Sequence, residues 1–109
     1  MSKRHVDLLV NDIREAIKRI ENYIEGMSFE DFSQDQKSID AVVRNLEIMG
    51  EAANRLPDEF KESHSDIEWY KIVGLRHRIV HEYFGVDLQI IWRILQKDLP
   101  ELRRSLSGI

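Results

Sequence analysis

Between Gly74 and Phe84 the chain reads GLRHRIVHEYF, two arginines and two histidines set among helix-forming, largely apolar residues. Cations of this kind are not buried together without costly desolvation or pairing, so their clustering calls for a chemical reason. Arginine presents a planar fork of N–H donors that matches a phosphate and stabilises charge developing on phosphorus. His81 falls near the expected C-terminal end of its helix, where the dipole and the last free carbonyls favour imidazolium, while Arg76 and Arg78 oppose a further positive charge. A histidine balanced in this way suits general acid and base work near neutral pH. Together Arg76 and His81 suggest a phosphate-centred site.

Helical geometry limits how these residues can cooperate. At about 100° per residue, Arg76 and Tyr83 share one stripe and His77 and His81 another, whereas Arg76 and His81 stand about 140° apart. Either the helix unwinds near His81, as the approach of Gly85 permits, or the two groups come from two copies of the chain.

Duller readings exist for the same residues. Arg76 and Arg78 could be surface cations paired with Glu82 or other acids, His81 a cap on free carbonyls, and Tyr83 an edge of the core. HRIVH sets two histidines at the i, i+4 spacing of zinc helices, but the glutamate of H-E-x-x-H is missing and no third ligand is identifiable. Glu47 and Glu51 share a face in the manner of a solvated or ion-paired stripe. Gly50 fits close helix packing. Trp69 and Trp92 could stack on bases, yet both sit on apolar stripes and read as core.

The elements that must position the cluster follow from the apolar periodicity. Val6, Leu9, Val10, Ile13, Ala16, Ile17, Ile20, Tyr23, Ile24 and Met27 recur at steps of three and four, which predicts an amphipathic helix ending near Gly26. The polar segment from Ser28 to Gln36 reads as a connection, with Phe29 and Phe32 tucked back onto the core. Ile39 to Leu56 predicts a second helix capped by Asp35 or Ser38, and Pro57 opens a short third one, PDEFKE. Asp66 is the expected cap of the helix carrying Ile67, Trp69, Tyr70, Ile72, Val73, Ile79 and Val80 inward and ending near Gly85. Asp87 opens the last helix, in which Pro100 is an expected kink. No β-alternation competes, so the chain reads as all-α, an up-and-down bundle of four long helices and one short one over a single domain, 1–109.

Composition narrows the function classes. With 109 residues, five glycines and two prolines, the chain suits one ordered helical core and not two. It has no cysteine, which excludes disulfides and Cys-ligated zinc and is compatible with a reducing, cytoplasmic location. The N-terminal segment interrupts its apolar residues with charges every few positions, unlike a signal peptide or a membrane span. The formal net charge of -4 argues against coating nucleic acid by bulk electrostatics. RNA contact would have to use a local basic patch.

The motif Arg76-x4-His81-x-Tyr83 resembles that of the HepT-like toxins of the HEPN superfamily, whose hallmark is R-x4-H, often extended by x-Y. IMGEAANRLPDEF, IEWYKIVGLRHRIVHEYFGVD and IWRILQKDLPELRRSL look like successive blocks of that family in the expected order, so the resemblance spans nearly the whole chain. It implies a metal-independent endoribonuclease without cofactor, the toxin of a type VII toxin-antitoxin pair whose antitoxin is a small nucleotidyltransferase of the MntA type. In related proteins the antitoxin transfers AMP to the motif tyrosine, matched here by Tyr83. Close relatives commonly carry Asn after the motif arginine; this chain has His77, which retains hydrogen bonding and adds a titratable group. Arg76 and His81 would then be catalytic, with His77, Arg78 and Tyr83 orienting RNA, in a homodimer or a higher assembly with the antitoxin. The alternatives are a non-catalytic nucleotide- or partner-binding module and a purely structural dimer.

Overall fold

The computed structural model describes the backbone of residues 3–82 and 87–109, and their side chains except at residues 3–4 and 76–82. Among the described residues every regular element is helical. In chain order these are α1 (Lys3–Ile24), α2 (Phe29–Gln34), α3 (Gln36–Arg55), α4 (Asp58–Ser63), α5 (Trp69–Glu82), α6 (Leu88–Arg93), a π-helical turn (Ile94–Asp98) and α7 (Leu99–Leu106). The α6–π–α7 run forms one interrupted helix, so four long helical stretches make the expected all-α bundle.

Local chemistry sets the boundaries. Gly26 ends α1 in the left-handed conformation, φ 76°, which a residue without Cβ adopts at little cost. Ser28 and Asp31 then form a reciprocal capping box, Asp31 N–H donating to Ser28 Oγ at 3.1 Å and Ser28 N–H to Asp31 Oδ2 at 3.0 Å. This box turns the expected connection into the short helix α2 and drives Phe32, fully buried, into the core. Its ring meets Trp92 at 5.3 Å and Phe29 meets the same indole at 6.2 Å, so Trp92 is a packing residue as its stripe suggested.

Asp35 caps α3, accepting the N–H of Ser38 at 3.2 Å and its hydroxyl at 2.9 Å. Those two bonds, the hydroxyl first, hold its carboxyl below the ordinary value. Along α3, Ile39, Val42, Val43, Leu46, Met49, Ala52 and Ala53 are buried, a stripe wide enough to pack against α1 on one side and α5 on the other.

Departures from the expected pattern are local. Asp66 does not cap α5, which begins three residues later; Ile67 N–H donates to His64 O at 3.1 Å and Trp69 N–H to Ile67 O at 2.9 Å, closing a turn that buries Ile67 first. Tyr70 is 70% exposed and Tyr23 39% exposed, because each lies at the solvent border of its helix and an aromatic ring with a hydroxyl tolerates that border. Pro100 does disturb its helix, but one turn upstream: the backbone widens so that Leu99 N–H reaches Ile94 O, five residues back. The wider turn accommodates a residue that has no N–H and whose ring would strike the carbonyl four positions earlier.

The Asp35 cap makes stability depend on acid pH. Its folded-state pKa is lowered, so its contribution is present above the unfolded carboxylate range and is lost as pH falls through the folded value. We expect Asp35→Ala to lower the melting temperature clearly at about pH 7 and by progressively less below about pH 3. Thermal melts followed by circular dichroism check this; a gap that stays constant through the acid range assigns the effect to something other than the carboxylate.

Candidate active site

Positions 76–82 of the motif lie on α5, and three described contacts fix how that helix enters the bundle. Trp69, 6% exposed, donates its indole N–H to His64 O at 3.0 Å, and the ring of Phe60 of α4 lies tilted against both, 4.6 Å from His64 and 5.9 Å from Trp69 between centroids. The α4 turn is thus bolted to the first residue of α5. Ile72 and Leu75 continue the buried face against α3. Around the helix axis, Arg76 falls between Trp69 and Ile72, while His81 falls within about 20° of Gly74, on the opposite flank. The backbone is helical through Glu82, so no unwinding before that residue brings Arg76 and His81 onto one stripe. Tyr83 lies outside the described residues, as do the side chains of Arg76, His77, Arg78 and His81.

Ahead of position 81 on the same flank, two described positions have space around them. Tyr70 is exposed, and a Cβ built on Gly74 would meet nothing within 4 Å. Tyr70 donates its hydroxyl to Glu68 at 3.0 Å, and Lys71 pairs with the same carboxylate at 3.0 Å. The Lys71 bond first, then the Tyr70 bond, lower the Glu68 carboxyl from its usual value, and Glu68 in turn raises the Lys71 ammonium.

A cleft of about 390 Å³ lies between the first half of α5 and the interrupted last helix. Met49, Ile72, Leu75, Ile94 and Leu99 line its apolar part, and Asp66, Glu68, Asp98 and Glu101 outnumber Lys71 and Lys97 at its polar edge. An acidic rim repels phosphate. The acids gather around the start of α5, and Arg76, His77, Arg78, His81 and Glu82 follow in its second half. Among the described residues no group of three or more His, Asp or Glu converges as metal ligands.

One buried polar residue escaped the sequence reading. Asn45, 4% exposed on α3, donates Nδ2–H to Ala41 O at 2.9 Å, but its Oδ1 is buried and accepts no hydrogen bond from the described residues. The signal was present in the sequence as a polar residue interrupting the α3 stripe between Val42 and Met49.

Comparison with known proteins matches the chain to a family. A protein of Thermococcus cleftensis named "Probable ribonuclease HepT" is 42% identical over 109 residues, spanning all of this chain and 98% of its own length. One of Caldanaerobacter subterraneus subsp. tengcongensis, "Putative RNase TTE0752", is 48% identical over 86 residues, 79% of this chain and 77% of its own. A third, "Putative RNase MJ1380" of Methanocaldococcus jannaschii, is 32% identical over 107 residues, 98% of each chain. No solved structure matches the chain with significance. The family model described as "Ribonuclease HepT-like" matches residues 13–109, a span that includes α5 and the whole Arg76–His81–Tyr83 motif, and the chain belongs to that family of ribonucleases.

Proposed function

We propose that this chain is a metal-independent endoribonuclease of one HEPN-type domain, acting in the cytoplasm as the toxin of a type VII toxin-antitoxin pair. The observation that supports the reading is the R-x4-H-x-Y pattern, with positions 76 and 81 in the second half of α5, in a chain of the HepT-like ribonuclease family.

RNA brings its own nucleophile. Removing the 2′-OH proton lets that oxygen attack phosphorus, the P–O5′ bond breaks, and a proton delivered to O5′ completes the step. The products are a 2′,3′-cyclic phosphate and a 5′-hydroxyl. His81 serves as acid or base, and Arg76 clamps the phosphate and its crowded transition state; His77, Arg78 and Tyr83 orient the strand. All of this uses side chains alone, with no cofactor.

Two proton transfers need two groups, and each chain has one His81. A homodimer with motif helices paired near a twofold axis supplies the second histidine and a second arginine, and it resolves the 140° separation of Arg76 and His81. The open flank at Tyr70 and Gly74, which leads along α5 to His81, leaves room for such a partner copy. The antitoxin is a nucleotidyltransferase encoded alongside, which esterifies the Tyr83 hydroxyl with AMP. The added anion would pair with Arg76 and take the place of the RNA phosphate.

Three outcomes follow. Purified protein cleaves RNA in the presence of chelator, and His81→Ala and Arg76→Ala each lower the rate by about 100-fold or more with helicity unchanged; a variant that unfolds instead marks its residue as structural. Sedimentation at micromolar concentration gives a dimer, and a monomer that still cleaves RNA refutes the shared site. Incubation with the cognate nucleotidyltransferase and ATP adds AMP to Tyr83 and stops cleavage, whereas Tyr83→Phe keeps most activity and escapes silencing. Mass spectrometry that places the adduct on Tyr23 or Tyr70 removes Tyr83 from that role.

A further inference from the structure

The cleft between the first half of α5 and the interrupted last helix takes no part in the proposed cleavage, and its makeup suits a protein partner. Its floor is apolar: Met49, Ile72, Leu75 and Leu99 are buried, so the cavity of about 390 Å³ ends directly on the core. Pockets of roughly 300–1,000 Å³ are large enough to enclose a ligand group. The wall opposite α5 owes its shape to the π-helical turn. Ile94 and Leu99 both line the cleft although they are five residues apart, a spacing that sets them about 140° apart on an unbroken α-helix. The wider turn brings them to one side.

Charge rings this apolar centre. Asp66 and Glu68 stand on the α5 side, Asp98 and Glu101 on the other, and two lysines, Lys71 and Lys97, lie among them. Glu68 holds the Lys71 ammonium at 3.0 Å and favours its charged form, with a weaker contribution from Asp98 of the facing wall. With that ion pair set aside, the carboxylates of Asp66, Asp98 and Glu101 face the single ammonium of Lys97 among the described rim residues, all four exposed. Like charges around a low-dielectric cleft focus a field that draws cations to its mouth.

An apolar centre inside an acidic rim selects among occupants. RNA is repelled by the rim, and the aliphatic floor offers its bases no ring to stack on. A second copy of this chain carries a net charge of -4, and its most exposed aliphatic side chain, Leu8 at 55%, stands beside Asp7 and Asp12. Its acids would meet acids. The complement is a short helix with one bulky apolar anchor and cations a turn to either side, so that the anchor fills the floor while the cations reach both rims. We propose that this cleft is a docking site for a partner protein that presents such a basic amphipathic helix. The proposal goes beyond the ribonuclease reading and does not rest on it.

The probe is a capped, alanine-rich helical peptide with one central phenylalanine and lysines three and four residues to either side, titrated into the isotope-labelled full chain. We expect a Kd of about 10–100 μM, with amide shifts centred on Ile72, Lys97 and Leu102. Exchanging the phenylalanine for alanine, or the lysines for glutamate, should weaken binding at least about 10-fold. The double variant Asp98→Lys/Glu101→Lys should also weaken it at least about 10-fold, whereas Asp12→Lys/Glu15→Lys, the same change of net charge at exposed positions of α1, should alter it less than about 2-fold. Equal losses from the two double variants mark attraction to net charge alone and overturn the site, as do shifts centred away from the cleft or no binding at about 1 mM peptide. Sedimentation decides the remaining occupant: a native dimer that Asp98→Lys/Glu101→Lys turns into a monomer gives the cleft to a second copy and overturns the proposal. None of these readouts needs RNA cleavage, so failure here and failure of the ribonuclease reading are distinguishable.

Discussion

Helix α3 has to bury two faces at once, and the rest of the molecule is arranged around that requirement. Val42, Leu46, Met49 and Ala53 have essentially no exposed surface, with α1 and α5 as the two helices that cover most of them. Each fully buried aliphatic side chain of this size contributes about 1.5–3 kcal/mol relative to leaving it in water, so neither flank can be surrendered. The position of α5, and with it the family motif, is thus a by-product of covering α3. The α4 turn refines this placement, since Phe60, His64 and Trp69 fix where α5 starts and therefore its register against α3.

The same constraint explains where the second layer sits. Helix α2 and the interrupted last helix close the far side through Phe32 and Trp92, and Arg14 ties α1 to the end of α7 by donating to Leu106 O and Ile109 O, each at 2.8 Å. The cleft between α5 and the last helix is what remains where these layers do not meet fully. Its apolar floor belongs to the core, and at its edge the acids Asp66, Glu68, Asp98 and Glu101 outnumber the lysines among the described residues.

A chain with a net charge of -4 meets a polyanion only where its acids are absent. On the proposed ribonuclease reading, the cations between Arg76 and His81 supply such a place without making the whole protein basic, which would favour indiscriminate binding to nucleic acid over chemistry at one phosphate.

The sequence by itself determined the class of fold, the long helices and the candidate motif, because these depend on short-range periodicity, on capping chemistry and on residue types at fixed spacing. Asp35 as a cap, Trp92 as core and Pro100 as a disturbance were all legible in this way. Legibility failed where a choice depended on what lies across a packed surface. A polar connection became α2 because Ser28 and Asp31 satisfied each other while Phe32 found Trp92; Tyr70 joined the apolar stripe on paper but faces solvent; Asp66 gave way as a cap to the turn that buries Ile67. The orphaned oxygen of Asn45 and the acidic cleft beside α5 are likewise tertiary facts. Each exists only once α3, α5 and the last helix are brought together, because burial and the absence of a donor are properties of the space between helices and not of any one of them.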